Sequence, residues 1–215
     1  WRKANPDKSI DEFDFQLNKM SVSGALFDMV KLLDVSKNVI SKYSAQRVYD
    51  ETIAWAKNFD TELAEMLSKD TEYSLKVLGI ERGNTKPRKD IAKWSDVKEN
   101  ISYMFNEKFD KNADFEYGKI SDKSEIEKIT KLYIEKYFDI NDDKKTWFNK
   151  MKDLAEEVGY AREVKMYKTE PEKWPGHVGD ISTVIRVSLT GRQNTPDLYE
   201  IMQVLGKETI IDRLS

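Results

Sequence analysis

Apolar positions near the end of the chain set the plan for the rest. From Ile181 to Gly206, Ile181, Val184, Ile185, Ser188 and Leu189 recur at helical spacing and predict one buried stripe. Thr183, Arg186 and Thr190 fall at i, i+3 and i+7 on the opposite face and are expected to point outward together. Thr190-Gly191 reads as a helix stop, because glycine takes the left-handed conformation that other residues resist. Thr195-Pro196 reads as a helix start, with the threonine capping and the proline losing no needed N–H. Two helix ends are thus expected to meet at a corner carrying Arg192, Gln193 and Asn194.

The same periodicity organises what comes before. Trp1 to Leu17 is polar with scattered aromatics, and Phe27 to Ile40 is an irregular amphipath fit for one or two short helices. Ser44 caps a helix with Val48, Thr52, Trp55 and Phe59 on one face; Thr61 starts another, and Tyr73 to Leu78 forms a third that stops at Gly79. Beyond the turn at Gly83-Asn84 and Pro87, a helix is expected from Trp94-Ser95 to Phe105. Asn106 to Asp122 is polar and irregular and reads as a boundary. Ile126, Ile129, Tyr133 and Tyr137 define a long helix, and Asp142 or Asp143 caps the next, which Gly159 ends. Tyr160 to Gly179 reads as a loop, with His177 in a capping or hydrogen-bonding role. Short helices on short links imply an all-α chain of two small bundles, 44–110 and 120–215, preceded by a connector over 1–43.

Composition narrows the chemistry. At 215 residues, with 35 % charged and no cysteine, the chain can bury a sizeable core but can form neither a disulfide nor a thiolate metal site. A single histidine makes an imidazole-based metal site an unpromising reading, so no metal ligands and no catalytic residues are assigned. No apolar run approaches the roughly 18 residues that would cross a bilayer, and no signal-peptide pattern opens the chain, which makes the cytoplasm the default expectation. The formal net charge of −3 argues weakly against nucleic acid, because phosphate contacts depend on local basic surface. Such an excess runs from Arg82 to Lys93, where Arg82, Lys86, Arg88, Lys89 and Lys93 face only Asp90. In an arbitrary protein this cluster would read as a solvated helix entrance. At the corner, a lone arginine and several uncharged donors beside a free helix N-terminus suit a flexible polyanion whose bases are read singly, such as an RNA loop. A well-capped hairpin with no ligand is the plainer reading.

Ile185-Arg186-Val187-Ser188-Leu189-Thr190-Gly191, then Thr195-Pro196, then Leu205-Gly206-Lys207-Glu208, resembles the closing signature of bacterial glutamate–tRNA ligases, class I synthetases. Pro87-Arg88-Lys89-Asp90-Ile91 followed by Trp94-Ser95 resembles a version found in some bacterial members, and Gly24-Ala25-Leu26-Phe27-Asp28 with Lys31-Leu32 is similar to their connector. Lys19-Met20-Ser21-Val22-Ser23 is not taken as the family's ATP loop, because Val22 replaces the second lysine. The family's other nucleotide motif is absent too, and Gly206-Lys207 is no phosphate loop, since Glu208 follows and Ile201 stands where the first glycine should be.

The resemblance implies an anticodon-binding helical cage with tRNA(Glu) as partner, inactive without a catalytic domain and holding no cofactor. ATP and Mg²⁺ would act on the parent enzyme's N-terminal domain. It implies anticodon contacts near Arg186, Thr195 and Leu198; position adds Thr190, Arg192, Gln193 and Pro196, and Arg88, Lys89 and Lys93 supply positive potential. The chain is expected to act as a monomer. Two other readings stand beside this one: a helical protein-interaction module with no RNA role, and the same region of an enzyme that also charges glutamine tRNA.

Overall fold

The computed structural model describes residues 1–20, 22 and 27–215. Ser21, Ser23 and the Gly24-Ala25-Leu26 part of the connector-like segment lie outside the described residues. Among the described residues the α-helices are α1 Met29–Ile40, α2 Ala45–Phe59, α3 Thr61–Lys69, α4 Thr71–Gly79, α5 Ser95–Ile101, α6 Lys123–Leu132, α7 Lys144–Glu157, α8 Val164–Thr169, α9 Val178–Thr190 and α10 Leu198–Leu214. Among the described residues the only β pairing is an isolated parallel bridge between Ala161 and His177.

Side-chain caps fix most helix starts. Ser44 Oγ accepts the Arg47 N–H at 3.2 Å, Asp60 that of Leu63 at 3.1 Å, Asp70 that of Tyr73 at 2.9 Å and Asp143 that of Thr146 at 2.7 Å. Each cap is worth about 1 kcal/mol, and the short links they permit fold α2, α3 and α4 back on one another. Val48, Ala56, Leu63, Leu67, Val77 and Leu78 fill the centre of that group. In the second group, α6, α7, α9 and α10 close around Ile129, Tyr133, Met151, Leu154, Ile181, Ile185 and Ile201. Tyr133 is fully buried and satisfied: its hydroxyl accepts Trp147 Nε1–H at 3.0 Å. The buried side chains of both groups join in one continuous cluster.

Several expectations are corrected. The Tyr160–Gly179 stretch contains the short helix α8, and α9 begins at Val178, because His177 and Asp180 form a capping box. His177 Nδ1 accepts the Gly179 N–H at 2.9 Å, and the Asp180 carboxylate accepts the His177 N–H at 2.8 Å. The helix expected through Tyr137 stays α-helical to Leu132 and widens into a π-turn over Tyr133–Tyr137. The helix expected from Ser95 to Phe105 ends at Ile101 and passes into a 3-10 turn over Ser102–Met104. Helix α10 starts not at Thr195-Pro196 but at Leu198, where the Asp197 carboxylate caps by accepting the Glu200 N–H at 3.1 Å. Helix α10 is also broken at Gly206 (φ 77°, ψ 163°), a backbone conformation open essentially to glycine alone.

Candidate nucleic-acid interface

Gly191 makes the corner. It takes φ 69°, ψ 11° and donates its N–H to Val187 O at 2.7 Å, and a Cβ there would sit 2.7 Å from Phe115 Cε1. The residues around it face inward more than their spacing suggested. Thr190 is only 2 % exposed and Thr195 only 6 %. Thr190 Oγ1 donates to Arg186 O at 2.7 Å and accepts the Arg192 N–H at 3.2 Å, so it caps the end of α9 instead of facing solvent. Arg186 is half-buried; it donates to Thr195 Oγ1 at 2.5 Å and to Pro196 O at 2.8 Å, which ties α9 to the approach of α10. Burial lowers its pKa from the ordinary arginine value. Leu198, 2 % exposed, belongs to the core. The outward ledge expected of Arg186, Thr190, Thr195 and Leu198 is therefore corrected to an internally bonded shelf. The reason is that the Thr195 and Pro196 oxygens lie within reach of the guanidinium and take its donors.

The surface that remains open lies between this shelf and residues 82–93. Arg88 donates from Nε and Nη2 to the Asp90 carboxylate at 2.6 and 3.2 Å, and from Nη1 to Thr195 O at 2.7 Å. Its bond to Asp90 raises the Arg88 pKa and keeps the guanidinium charged. Arg192 donates to Glu99 O at 2.7 Å, with its guanidinium 5.6 Å from the centre of the Tyr103 ring, and Gln193 donates to Glu116 O at 3.1 Å. Between them lies a cleft of about 80 Å³ lined by Arg88, Asn100, Tyr103, Arg192, Asn194 and Thr195. Beyond it, Lys42, Lys86 and Lys89 line an open groove of about 610 Å³ together with Asn84 and Thr85, and these three lysines make no ion pair among the described residues. Lys93 is exposed, 3.8 Å from Asp96. Arg82 is spent internally, donating to Leu78 O at 2.7 Å, Ile40 O at 3.0 Å and Tyr43 O at 3.3 Å.

Comparison with known proteins agrees with this geometry. Residues 176–215, which hold α9, the corner and α10, match the anticodon binding domain family. Along its whole length the chain is 44 % identical to a glutamate–tRNA ligase of Clostridium perfringens (strain 13 / Type A), and it covers 39 % of that protein. It is 45 % identical to one of Acetivibrio thermocellus, covering 39 % of it, and 41 % identical to one of Sorangium cellulosum, covering 38 %. The chain is thus similar along its length to part of bacterial glutamate–tRNA ligases, and its last 40 residues match an anticodon binding domain. It spans about two fifths of the length of the relatives it matches, 39 % in the first two.

The 215 residues hold no glycine-rich phosphate loop, and no group of three or more His, Asp or Glu side chains among the described residues could hold a metal ion. No helix among the described residues is long and apolar enough to cross a membrane. The sequence reading missed Glu81, Glu200 and Arg213, which brace this corner from within. Only Asp197 with Glu200 carried a signal, the aspartate-x-x-glutamate spacing of a capping box, and the competing Thr195-Pro196 pattern obscured it.

Proposed function

We propose that this region grips the anticodon loop of tRNA(Glu), so that the catalytic part of a glutamate–tRNA ligase can attach glutamate using ATP. The observation that supports it most is the cleft between Arg88 and Arg192, which lies beside Lys42, Lys86 and Lys89 and is bounded by the matched segment 176–215. Arg192, Gln193 and Asn194 offer hydrogen bonds to unstacked bases, with the Arg192 guanidinium, laid over the buried Tyr103 ring, as a stacking surface. Lys89, with Lys42 and Lys86, would track the phosphates, and Lys93 would add potential. Arg88, Arg186, Thr190, Thr195, Pro196 and Leu198 shape the shelf, and Arg186 reaches a base only through the guanidinium edge its two internal bonds leave free. The region would work as a monomer in the cytoplasm, as two helical subdomains, 44–110 and 120–215, following the connector 1–43.

Titration with tRNA(Glu) and, separately, tRNA(Gln) over a range of salt tests this reading. Affinity should fall steeply as salt rises, and Arg186→Ala should cost about 1–3 kcal/mol with the fold intact. Binding indifferent to salt and not competed by RNA would instead favour a protein-interaction module. Equal affinity for the two tRNAs would indicate a region that also serves glutamine tRNA.

A further inference from the structure

Among the described residues, Glu81 is the one non-glycine with positive φ, at 56°, a conformation uncommon for a residue with a Cβ. It stands where α4 hands over to the basic loop, and its backbone is held from the other end of the chain. Its N–H donates to Glu200 Oε2 at 2.8 Å, while its own carboxylate accepts the Asp197 N–H at 3.2 Å. In an ordinary capping box the residue at the third helical position takes the N–H of the cap. Here Asp197 is the cap and Glu200 is that third residue, but the two glutamates have exchanged partners: Glu81 takes the cap's N–H, and Glu200 takes that of Glu81. Arg88 Nε lies 3.9 Å from the Glu81 carboxylate, and Lys144 Nζ lies 2.8 Å from that of Asp197. With three carboxylates facing two cations, the cluster keeps a net negative charge and is itself no anion site.

We propose that Glu81 and Glu200 are a positioning pair for RNA binding. Their exchanged capping bonds lock residues 82–93 against the Thr195-Pro196 shelf and so set the opening of the cleft between Arg88 and Arg192. This rests on the tRNA-binding reading above and goes beyond it, since neither carboxylate would touch RNA. Strain held by a partner on another element is expected where a fixed geometry matters.

The sign of the effect separates this idea from plain electrostatics. Removing a carboxylate beside an RNA site should by charge alone tighten binding. The positioning role requires Glu200→Ala to weaken tRNA(Glu) binding, by about tenfold for one charge-assisted bond, while the slope of log K against log salt stays unchanged because no phosphate contact is lost. Glu200→Gln, which keeps an acceptor oxygen, should retain most of the affinity. Hydrogen exchange of the RNA-free chain reads the brace independently: Glu200→Ala should speed exchange in residues 82–93 and leave α2 and α3 protected. Unchanged exchange there, or unchanged or tighter tRNA binding, overturns the pair. If Glu200→Ala does not fold, a Glu200→Gln variant as weak as tRNA-binding knockouts of the lysine groove overturns it equally. Faster exchange in a chain whose wild type shows no salt-dependent RNA binding would instead overturn the tRNA reading and leave the brace purely structural.

Discussion

Replacing Arg213 tests the packing logic most directly. Its guanidinium, 6 % exposed, donates to Tyr103 O at 2.7 Å, Leu189 O at 2.6 Å and Asn106 Oδ1 at 2.7 Å, and lies 4.0 Å from the centre of the Phe109 ring. It joins the last turn of α9 to the segment after α5, directly behind the corner. Three hydrogen bonds from a charged donor contribute roughly 5–9 kcal/mol gross. Against this, burial pulls the guanidinium pKa below the ordinary arginine value, to about 10, a desolvation cost of about 3 kcal/mol at most and less once solvent screening is allowed for. Removing the side chain also leaves two buried carbonyls unpaired. Arg213→Ala should therefore destabilise by about 2–4 kcal/mol, or roughly 5–15 °C in Tm for a chain of this size. Thermal unfolding followed by circular dichroism measures it. Arg213→Met separates packing from hydrogen bonding, since it keeps the stem over Phe109 and removes the donors. A methionine variant within about 2 °C of the wild type would mean the three bonds only break even with desolvation, and the reasoning would fail.

Other outcomes follow from the same structure. Gly191→Ala should cost about 2 kcal/mol or more, because left-handed backbone strain adds to a Cβ placed 2.7 Å from Phe115 Cε1; a Tm within 2 °C of the wild type would contradict this. Burial pushes the Tyr73 and Tyr103 phenols from 10.0 up to about 12, so the stability they contribute is complete below pH 10 and is lost as pH rises toward 12. Urea titrations across that window should show the loss, and Tyr103→Phe should make it shallower. Arg213, with its lowered value, acts in the opposite sense over the same window. Charge neutralisation of Lys86 and Lys89 should reduce the slope of log K for tRNA against log salt by about one per lysine actually on a phosphate; an unchanged slope would place the phosphates elsewhere.

Local chemistry made much of the fold legible. Ser44, Asp143 and Gly191 mark helix ends by what their side chains, or the lack of one, do to the nearest backbone groups, and that information lies within four residues. The stripe Ile181, Val184, Ile185, Leu189 is buried as its spacing required. Helix α8 was hidden because it is six residues long, buries no side chain and is followed by Pro171 and Gly176, so it has no stripe to read. Thr195-Pro196 misled because two start signals overlap, and the one settled by contact with a distant segment, Asp197 with Glu81, prevailed.

The interface was harder to read for a different reason. Periodicity tells which face a residue occupies but not whether an oxygen from another element lies within reach of that face. Arg186 and Arg88 sit on polar faces as expected, yet the Thr195 side chain, the Thr195 carbonyl and the Pro196 carbonyl converge on them and turn both guanidiniums into internal ties. Long-range bonds of this kind span sequence separations of 9, 10 and 107 residues, and no local window contains the last. The consequence for function is that charge at this corner divides into two classes. Arg82, Arg88, Arg186 and Arg213 spend their donors on carbonyls and carboxylates of the protein itself, while Lys42, Lys86 and Lys89 keep theirs free. If the region grips an anticodon loop as proposed, it holds its shape with planar, many-donor guanidiniums and leaves the flexible point charges for a polyanion that must be bound and released.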